Sequence, residues 1–366
     1  MRRHLALLAL TVVVALAAEP KAKNVILFIG DAGGIPTLNA ASLYKYNQPQ
    51  KLFVQTMPHV ALMDTSAADA WVTDSAAGMS AIVTGQKTNN GVLSQSATAV
   101  RGKKDGEVLQ TILEYAEEHG LSTGVLSNMT ITDATPAACY AHSNDRGATG
   151  QIFAQILAPR FGDGVDVVIG SGRDAILKAT EGLGLQIGPA LREKGYSFYD
   201  SLQAVSPGDR RVVSLLNTKD FSVDEAVDKA LRILEQNPKG YFLMVEWDTH
   251  TDNLRRGLEQ VIALDSVIRR TSESVKDETL IIFAADHSFD LRLLAGRPGR
   301  PILTEEGNGE GSPQTARPNI RVGTGHTGEE VLVAAKGPGA ERLHGFIANT
   351  DLFHIMMAAL GWRTRQ

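Results

Sequence analysis

The sequence is poor in cysteine: Cys139 is the only one among 366 residues. A single cysteine excludes an intrachain disulfide, and it is compatible with either an oxidising or a reducing compartment. The sequence also lacks an excess of positive charge, since 36 Lys and Arg residues face 41 Asp and Glu residues and the formal net charge is −5. A diffuse acidic balance argues against nucleic acid or an anionic membrane as a partner. An anionic substrate therefore needs local positive charge, from metal ions or from a particular arginine.

The apolar run at the start of the chain is too short for a membrane span, which needs roughly 20 residues. It extends from Leu5 to Leu16, follows two arginines and leads into small residues. This pattern predicts a secretory signal peptide over residues 1–18. The alternative is an uncleaved N-terminal anchor. We therefore expect a mature chain of residues 19–366 that is periplasmic or secreted and has no membrane attachment after cleavage.

The sequence lacks the G-x-S-x-G motif of serine hydrolases around its most informative serine. That serine is Ser75, which lies in the string TDSAAGMSA. A serine is a poor nucleophile at neutral pH and needs an adjacent base or a metal ion. Because the chain offers many carboxylates and histidines at predicted strand ends, we expect metal ions to activate Ser75.

Continuous apolar runs alternate with helical patterns along the chain. The first run begins at Lys23 and ends in Gly30-Asp31, and such runs are typical of strands buried on both faces of a parallel sheet. The clearest helical pattern spans Asn253–Ser274, where apolar residues keep three- and four-residue spacing. The alternation predicts an α/β fold, a doubly wound and mostly parallel sheet with helices on both faces. Further strand-like runs occur at 123–127, 165–170, 241–246, 279–285 and 331–335.

Residues 288–325 interrupt this alternation. Much of the segment is rich in Gly, Pro and polar residues, which is typical of surface loops. We interpret it as an irregular excursion within a single domain of residues 19–366, and not as a domain boundary.

Five clusters of polar residues carry candidate chemistry, and several of them follow predicted strands, where ligands of such sheets bind. Taken singly, each has an ordinary structural explanation, such as an Asp that caps a helix or a Thr-Pro pair that begins one. Taken together, the three histidines and several acids suit Zn²⁺, and the oxygen-rich part suits Mg²⁺. The clusters are Asp31; Asp74-Ser75; Asp133, Thr135 and Arg146; Glu246, Asp248 and His250; and Asp286-His287 with His326.

The strings that contain these residues occur in a fixed order from residue 24 to about residue 360: NVILFIGDAGG, VTDSAAGMSA, DATPAACYAHSNDR, FLMVEWDTH, AADHS, GHTGEEVLVAAKGPGAE and TDLFHIMMAAL. With these motifs the chain resembles the alkaline phosphatase family of metal-dependent phosphomonoesterases. The resemblance covers nearly the whole mature chain. It implies hydrolysis of phosphate monoesters through a phosphoseryl intermediate, with two zinc ions and one magnesium ion as cofactors.

The resemblance also implies a role for each matching residue. Ser75 is the expected nucleophile, and Arg146, oriented by Asp74, is expected to grip two phosphate oxygens. The remaining residues are expected to bind three metal ions, of which the third is magnesium or another cation. The first zinc would take His250 and His326; the second would take Asp31, Asp286, His287 and Ser75; and the magnesium would take Asp31, Thr135, Glu246 and, through water, Asp133.

One segment departs from the family pattern. The family usually places an Asp four residues before the His of the first zinc, with the magnesium Glu several residues earlier. Here Glu246, Asp248 and His250 are compressed into five positions. We assign Asp248 to the first zinc and keep Glu246 for the magnesium, because Glu246 ends the predicted strand. The alternatives for the zinc carboxylate are Glu246 itself, at the usual spacing, and Asp252.

Other functions on the same fold stay open. A sulfatase would need x-Pro-x-Arg after the nucleophile, which the residues after Ser75 lack. A phosphodiesterase would differ mainly in what surrounds the phosphate, and Arg146 favours a monoester because it can hold the additional charged oxygen. A non-catalytic phosphate- or metal-binding protein would be expected to lack the nucleophile or a zinc ligand, and neither is missing. We expect small phosphate monoesters as partners, no nucleic-acid-binding surface, and a homodimer as the family suggests.

Overall fold

The computed structural model describes residues 21–303 and 319–364 of the chain. The signal peptide predicted at residues 1–18 lies outside the described residues and stays a prediction. Within the described part, no helix is both long enough and apolar enough to cross a membrane.

Strands and helices alternate along most of the described chain. The strands are β1 Asn24–Asp31, β2 His59–Asp64, β3 Ser122–Thr130, β4 Val167–Ser171, β5 Ser197–Tyr199, β6 Val212–Leu216, β7 Tyr241–Asp248, β8 Thr279–Ala284, β9 Ser288–Leu293, β10 Ile320–Thr327, β11 Val331–Lys336 and β12 Gly345–Ala348. The helices are α1 Ile35–Tyr46, α2 Ser75–Thr84, α3 Ile112–Glu118, α4 Ala134–Tyr140, α5 Thr149–Ala154, α6 Arg173–Glu181, α7 Ile187–Glu193, α8 Val223–Leu234, α9 Leu254–Ser274 and α10 Asp351–Leu360, with short 3₁₀ turns at Phe53–Thr56, Gln155–Leu157 and Ala340–Arg342.

Ten of these strands form one sheet in the order β12-β2-β11-β8-β1-β7-β3-β4-β6-β5. Strand β11 runs antiparallel to both of its neighbours, and the other pairs in the sheet are parallel. The prediction of a doubly wound, mostly parallel sheet is confirmed. The central strand β1 is buried along its whole length, which explains why its sequence is a continuous apolar run.

Alternate residues of the central strands face two different layers of helices. One layer contains α2, α3, α4 and α10, and Leu27, Ile29 and Met244 pack against it. The other layer contains α1, α8 and α9, and Phe28 and Trp247 pack there. The same alternation directs Asp31, which is two residues beyond Ile29, toward the first layer. Glu246 and Asp248 follow Met244 on that face as well, so three acids extend from one face of the sheet toward α2 and α4.

The segment predicted as an excursion, residues 288–325, is regular at both of its ends. Strands β9 and β10 pair antiparallel as a separate two-stranded sheet, which corrects the prediction for residues 288–293 and 320–325. His326 lies on strand β10, where it pairs with Phe289 of β9. The register of this pairing shifts between Val322 and His326. Gly and Pro dominate the middle of the segment and conceal the two strands in the sequence. The single domain of residues 19–366 remains a prediction.

Candidate active site

The predicted site residues lie together where β1, β7 and β8 end. Asp31 is the last residue of β1 and is the Cα partner of Asp248, the last residue of β7. Asp286 and His287 follow directly after the end of β8. Neighbouring parallel strands end at the same edge of a sheet, so the register alone brings these four side chains into one place.

Ser75 is held at this edge by helix α2, of which it is the first residue. Asp74 caps the helix, because its Oδ1 accepts a hydrogen bond from the amide of Ala77 at 3.0 Å. The positive end of the helix dipole favours negative charge on Ser75 or on a bound phosphate. One turn further, a Cβ at Gly78 would stand 2.8 Å from the carbonyl oxygen of Asp286. Glycine at this position therefore lets α2 approach the segment that carries Asp286 and His287.

His287 connects Ser75 to the buried acids. Its Nδ1 faces the carbonyl oxygen of Ser288 at 3.3 Å, so Nδ1 carries the proton and Nε2 carries the lone pair. Nε2 lies 3.2 Å from the Ser75 hydroxyl and 3.4 Å from both Asp31 Oδ1 and Asp286 Oδ2. Burial lowers the pKa of His287 to about 4, so the ring is neutral at pH 7. A lone pair and two carboxylate oxygens thus meet around one point.

No hydrogen-bond donor of the described residues satisfies these two carboxylate oxygens. Asp31 Oδ1 and Asp286 Oδ2 are buried and have no hydrogen-bond partner there. Burial raises the pKa of Asp31 well above its ordinary value, and the nearby acids, with Asp286 first among them, raise it further. Buried carboxylates are stable when they are protonated, paired with a cation or bound to a metal ion. The arrangement therefore fits a cation at the point where Asp31, Asp286 and His287 converge.

Glu246 lies in a second oxygen-rich pocket on the same face. The Ser127 hydroxyl donates a hydrogen bond to its carboxylate. Burial, followed by the charge of Asp133, raises the pKa of Glu246 to about 8, although Ser127 and Thr135 partly offset this. The Thr135 hydroxyl is buried, and it has no hydrogen-bond partner of ordinary geometry among the described residues. Oxygen ligands alone, carboxylate and hydroxyl, suit Mg²⁺ better than Zn²⁺.

His250 and His326 complete a histidine group with His287. His326 stacks on His287 with ring centroids 3.6 Å apart, and its Nδ1 faces the carbonyl oxygen of Thr73 at 3.1 Å. His250 Nδ1 faces Asp248 Oδ1 at 3.0 Å. In His326 a carbonyl oxygen holds Nδ1 and leaves Nε2 for another partner, as is usual for metal-binding histidines.

Asp248 and His250 shift each other's pKa. Burial acts to raise the pKa of Asp248, but the hydrogen bonds and charge of His250 outweigh it and lower that pKa. Burial acts to lower the pKa of His250, and Asp248 outweighs it in the opposite direction. The Asp248 amide also donates to Asn128 Oδ1 at 2.9 Å, which fixes the backbone of this pair. Asp252, the remaining candidate carboxylate, is exposed.

Arg146 lies between two acids. Its guanidinium donates to Asp74 Oδ2 at 3.1 Å and to Asp133 Oδ1 at 2.7 Å. Burial acts to lower the pKa of Arg146, but Asp133 and Asp74 outweigh it and raise that pKa. The Arg146 side chain is 25% exposed, so the guanidinium can still contact a ligand. Asp74 therefore caps α2 with one oxygen and orients Arg146 with the other.

The ligand atoms form two groups that could each hold a metal ion. In each group the ligand atoms lie within 4.8 Å of one another, and His287 belongs to both. Mixed histidine and carboxylate ligands suit Zn²⁺. Glu246 and Thr135 add an oxygen pocket beside Asp133. The groups are His250, His287 and His326, and Asp31, Asp286 and His287.

Sequence reasoning missed the residues that support these ligands. Ser127 and Asn128 hold Glu246 and Asp248, and Asn90 Oδ1 accepts a hydrogen bond from the Asp74 amide at 2.9 Å. The pair Ser127-Asn128 interrupts the apolar run of β3 near the same sheet edge, and that interruption was a usable signal. Asn90 lies in a loop, where no pattern in the sequence distinguishes it.

Comparisons with known proteins point to one family. The family model described as alkaline phosphatase matches residues 22–188, 212–306 and 306–362. The alkaline phosphatase of Escherichia fergusonii is 30% identical over 424 residues, covering 94% of this chain and 87% of the relative. The tissue-nonspecific isozyme of Rattus norvegicus is 28% identical over 438 residues, covering 92% and 83%. A mutant alkaline phosphatase of the Antarctic bacterium TAB5, solved with Mg bound in its M3 site, shares the fold with a TM-score of 0.77 at 23% identity, covering 95% of this chain and 100% of that one.

Proposed function

Since the chain belongs to the alkaline phosphatase family and is a phosphatase, we propose that it hydrolyses phosphate monoesters through a phosphoseryl intermediate at Ser75. The observation that carries the proposal is the position of the Ser75 hydroxyl. It lies at the N-terminus of α2 and 3.2 Å from His287 Nε2, where the lone pair of His287 and two buried carboxylates converge. We further propose two zinc ions and one magnesium ion as cofactors.

In the first step the Ser75 oxygen attacks phosphorus in line with the departing alcohol. Phosphoryl transfer depends mainly on positioning and on positive charge, because negative charge spreads over the equatorial oxygens. Arg146 supplies two N–H donors for two of these oxygens, and the planar guanidinium suits bidentate contact. Asp74 and Asp133 hold the guanidinium in place through one hydrogen bond each.

The bound cations would lower the pKa of the Ser75 hydroxyl and neutralise charge on the attacking and leaving oxygens. Asp31, Asp286 and His287 would hold the ion nearest Ser75. In the second step water hydrolyses the phosphoseryl ester and returns Ser75 to its free form. Arg146 keeps its contact with the phosphoryl oxygens during both steps, so it also contributes to binding of the product, inorganic phosphate.

The intermediate can be tested with Ser75→Ala. We expect turnover to fall by ~10³ or more, because the nucleophile is lost. Metal content should stay near that of the wild type, because the carboxylate and histidine ligands remain. Acid quenching during turnover followed by peptide mass spectrometry should detect phosphoserine at Ser75 in the wild type only.

Ser274→Ala is the matched control, because Ser274 is exposed at the end of α9 away from the site. It should keep full activity and the Ser75 phosphopeptide. Substantial activity in Ser75→Ala, or a phosphopeptide at another position, would show that Ser75 is not the nucleophile.

Substrate class can be tested by initial rates on an aryl phosphate, a bis-aryl phosphate and an aryl sulfate. The monoester should be hydrolysed fastest, because Arg146 and the cations can hold its additional charged oxygen. A bis-aryl phosphate that reacts faster would make the protein a phosphodiesterase. No turnover of any of the three by the metal-loaded protein would favour a binding protein.

We propose that Asp248 shares the first zinc with His250 and His326, whereas Glu246 serves the magnesium. Two observations support this assignment. Asp248 lies 3.0 Å from His250 Nδ1, and Glu246 is next to Ser127, Thr135 and Asp133 instead. Residues two apart on a strand share a face, so the compressed segment can supply two neighbouring sites.

Two single variants separate this assignment from its alternative. Asp248→Ala should lower zinc content, and Glu246→Ala should mainly lower magnesium content. The reverse result would assign Glu246 to the zinc and restore the usual four-residue spacing to His250. Asp252→Ala is the control and should keep all the metal ions.

We also propose that the protein is exported and that the mature chain begins near Ala18 or Glu19. The paired arginines and the apolar run that follows them support this. N-terminal sequencing of periplasmic or secreted material is the test. Intact Met1 in the membrane fraction would indicate an uncleaved anchor.

A further inference from the structure

Trp71 is almost wholly exposed although it is the largest type of apolar side chain. Its exposed fraction is 87%, and the adjacent Val72 is 41% exposed. Trp247, by contrast, is 2% exposed in the core. An exposed tryptophan contributes little to the stability of the folded state, because it buries little of its apolar surface. The structure of the described chain therefore gives no packing reason for an indole at this position.

Trp71 lies at the edge of the candidate active site. It precedes Ser75 by four residues. A Cβ at Gly328 would stand 3.0 Å from the Trp71 carbonyl oxygen and 3.4 Å from a Val72 methyl group. Gly328 is two residues from His326, so the segment of Trp71 and Val72 contacts the loop that follows this candidate metal ligand.

The backbone of this segment is fixed by contacts on both sides. The Thr73 carbonyl oxygen faces His326 Nδ1 at 3.1 Å. Asn90 donates to the Val72 carbonyl oxygen at 3.1 Å and accepts from the Asp74 amide at 2.9 Å. Trp71 thus stands on a segment whose backbone is held beside Asp74, which precedes the nucleophile, and beside His326.

The charges around Trp71 restrict what could bind there. Three acids are exposed in the two segments that contact each other here. Asp69 is two residues before Trp71, and Glu329 and Glu330 follow Gly328. They disfavour a leaving group that carries further negative charge. An exposed indole binds flat aromatic rings by stacking, and base-to-aromatic stacking corresponds to a factor of roughly 5 to 150 in affinity.

We propose that Trp71, with Val72 beside it, is a specificity-determining subsite for flat, uncharged aromatic leaving groups, such as a nucleoside. The subsite rests on the proposed function, because it binds the alcohol part of a phosphate monoester whose phosphate lies at Ser75. Trp71 acts on the choice of substrate and takes no part in phosphoryl transfer.

The test compares adenosine monophosphate with ribose phosphate, both esterified at the primary hydroxyl of the sugar. They share the sugar and the phosphate, and ribose phosphate has a hydroxyl group in place of the base, so the ratio of their kcat/KM values reports the contribution of the aromatic ring. Trp71→Ala should lower this ratio by about fivefold or more, mainly through KM for adenosine monophosphate. Trp71→Phe should keep part of the preference for adenosine monophosphate. Rates on phenyl phosphate measure whether a ring closer to phosphorus also reaches the indole.

Phe346→Ala is the matched control, because Phe346 is another exposed aromatic, 76% exposed, on the edge strand β12. It should leave the ratio unchanged. An equal fall of both rates in Trp71→Ala would overturn the subsite and leave the phosphatase proposal intact. An unchanged ratio together with a shift from dimer to monomer would also overturn it and assign Trp71 to a subunit interface. If the wild type hydrolyses neither ester, the proposed function itself fails, and the subsite with it.

Discussion

Two groups of acids lie within the same site and are stabilised in different ways. The arginine clamp, Asp74 and Asp133 around Arg146, is partly exposed, and each acid has a cationic partner at 2.7 to 3.1 Å. The inner carboxylates, Asp31, Glu246 and Asp286, are at most 4% exposed. Two of them have an oxygen without a hydrogen-bond partner among the described residues.

The comparison distinguishes carboxylates that another side chain of the protein stabilises from carboxylates that need a bound ligand. Each acid of the clamp has a cationic partner within the chain, because Arg146 donates one hydrogen bond to Asp74 and another to Asp133. The inner carboxylates lie beside each other, and backbone amides reach only Oδ1 of Asp286. Asp31 Oδ1 and Asp286 Oδ2 have no hydrogen-bond partner among the described residues, so either protons or cations must neutralise this group. From the chemistry of the donor set we therefore expect cations to stabilise the folded structure as well as to take part in catalysis.

Removing the metal ions should have the largest effect, and it should act chiefly on the inner carboxylates. Chelation should abolish activity, and zinc with magnesium should restore it. In the chelated protein the pKa of Glu246 is about 8, above its ordinary value of 4.5. The folded state then binds this proton more tightly than the unfolded state, so this part of the stability is present below about pH 4.5 and is lost as pH rises through about 8. Thermal unfolding of the chelated protein between about pH 5 and about pH 8 measures it.

Two controls make this prediction specific. Chelated Glu246→Gln should lose stability less steeply over the same pH range, because it has no proton to release there. The metal-loaded wild type should also show little loss, because cations replace the protons. A chelated wild type that becomes more stable between pH 5 and pH 8 would contradict the electrostatic description of the inner carboxylates.

Arg146→Ala tests the clamp and should have an intermediate effect. Each charge-assisted hydrogen bond contributes about 1.5–3 kcal/mol, so inhibition by inorganic phosphate should weaken by roughly tenfold to a few hundredfold. Some turnover should survive, because the inner site is intact, and metal content should not change.

The matched control for the clamp is Arg173→Ala, at the beginning of α6, which should leave phosphate inhibition unchanged. An unchanged inhibition constant in Arg146→Ala would mean that the guanidinium does not contact the phosphate.

Gly78→Ala should have the smallest effect, chiefly on stability. The added Cβ would stand 2.8 Å from the Asp286 carbonyl oxygen, and overpacking of this kind costs about 1–3 kcal/mol. Because the clash displaces the segment of Asp286 relative to α2, we expect a lower kcat as well. Chemical denaturation and steady-state kinetics measure the two effects.

Gly182→Ala is the control at the C-terminus of α6. Its φ of −60° is helical, and a Cβ there would meet its first neighbour at an ordinary 3.4 Å. This substitution should be neutral or should stabilise the protein by about 0.4–1 kcal/mol. A Gly78→Ala protein that is as stable and as active as this control would show that α2 does not depend on the close approach.

The sequence predicts the inner carboxylates well because of where they lie. Asp31 ends a wholly apolar strand and Asp286 follows one, and the edge of a parallel sheet brings such positions together. The helical pattern of α9 and most strand positions follow from burial on the two faces in the same way. The compressed segment from Glu246 to His250 also lies in one place, because residues two apart on β7 share a face.

Other parts of the structure depend on contacts that no local pattern reports. Strands β9 and β10 pair with each other outside the main sheet, and His326 reaches His287 only through that pairing. Asn90 supports Asp74 from a loop. Ala32 has a positive φ of 63°, and its amide faces Asp286 Oδ1 at 3.4 Å. The sequence shows only an Ala there, and a positive φ is uncommon for residues other than Gly.

Elemental analysis of two purified variants tests the central claim, that cations complete the inner carboxylates whereas Asp74 of the clamp needs none. Asp31→Asn removes an inner carboxylate, and Asp74→Asn removes an acid of the clamp with the same change in charge. We predict that Asp31→Asn loses at least one zinc or magnesium ion relative to the wild type and that Asp74→Asn keeps the full complement. Equal metal content in the wild type and Asp31→Asn, or a loss confined to Asp74→Asn, would contradict the account.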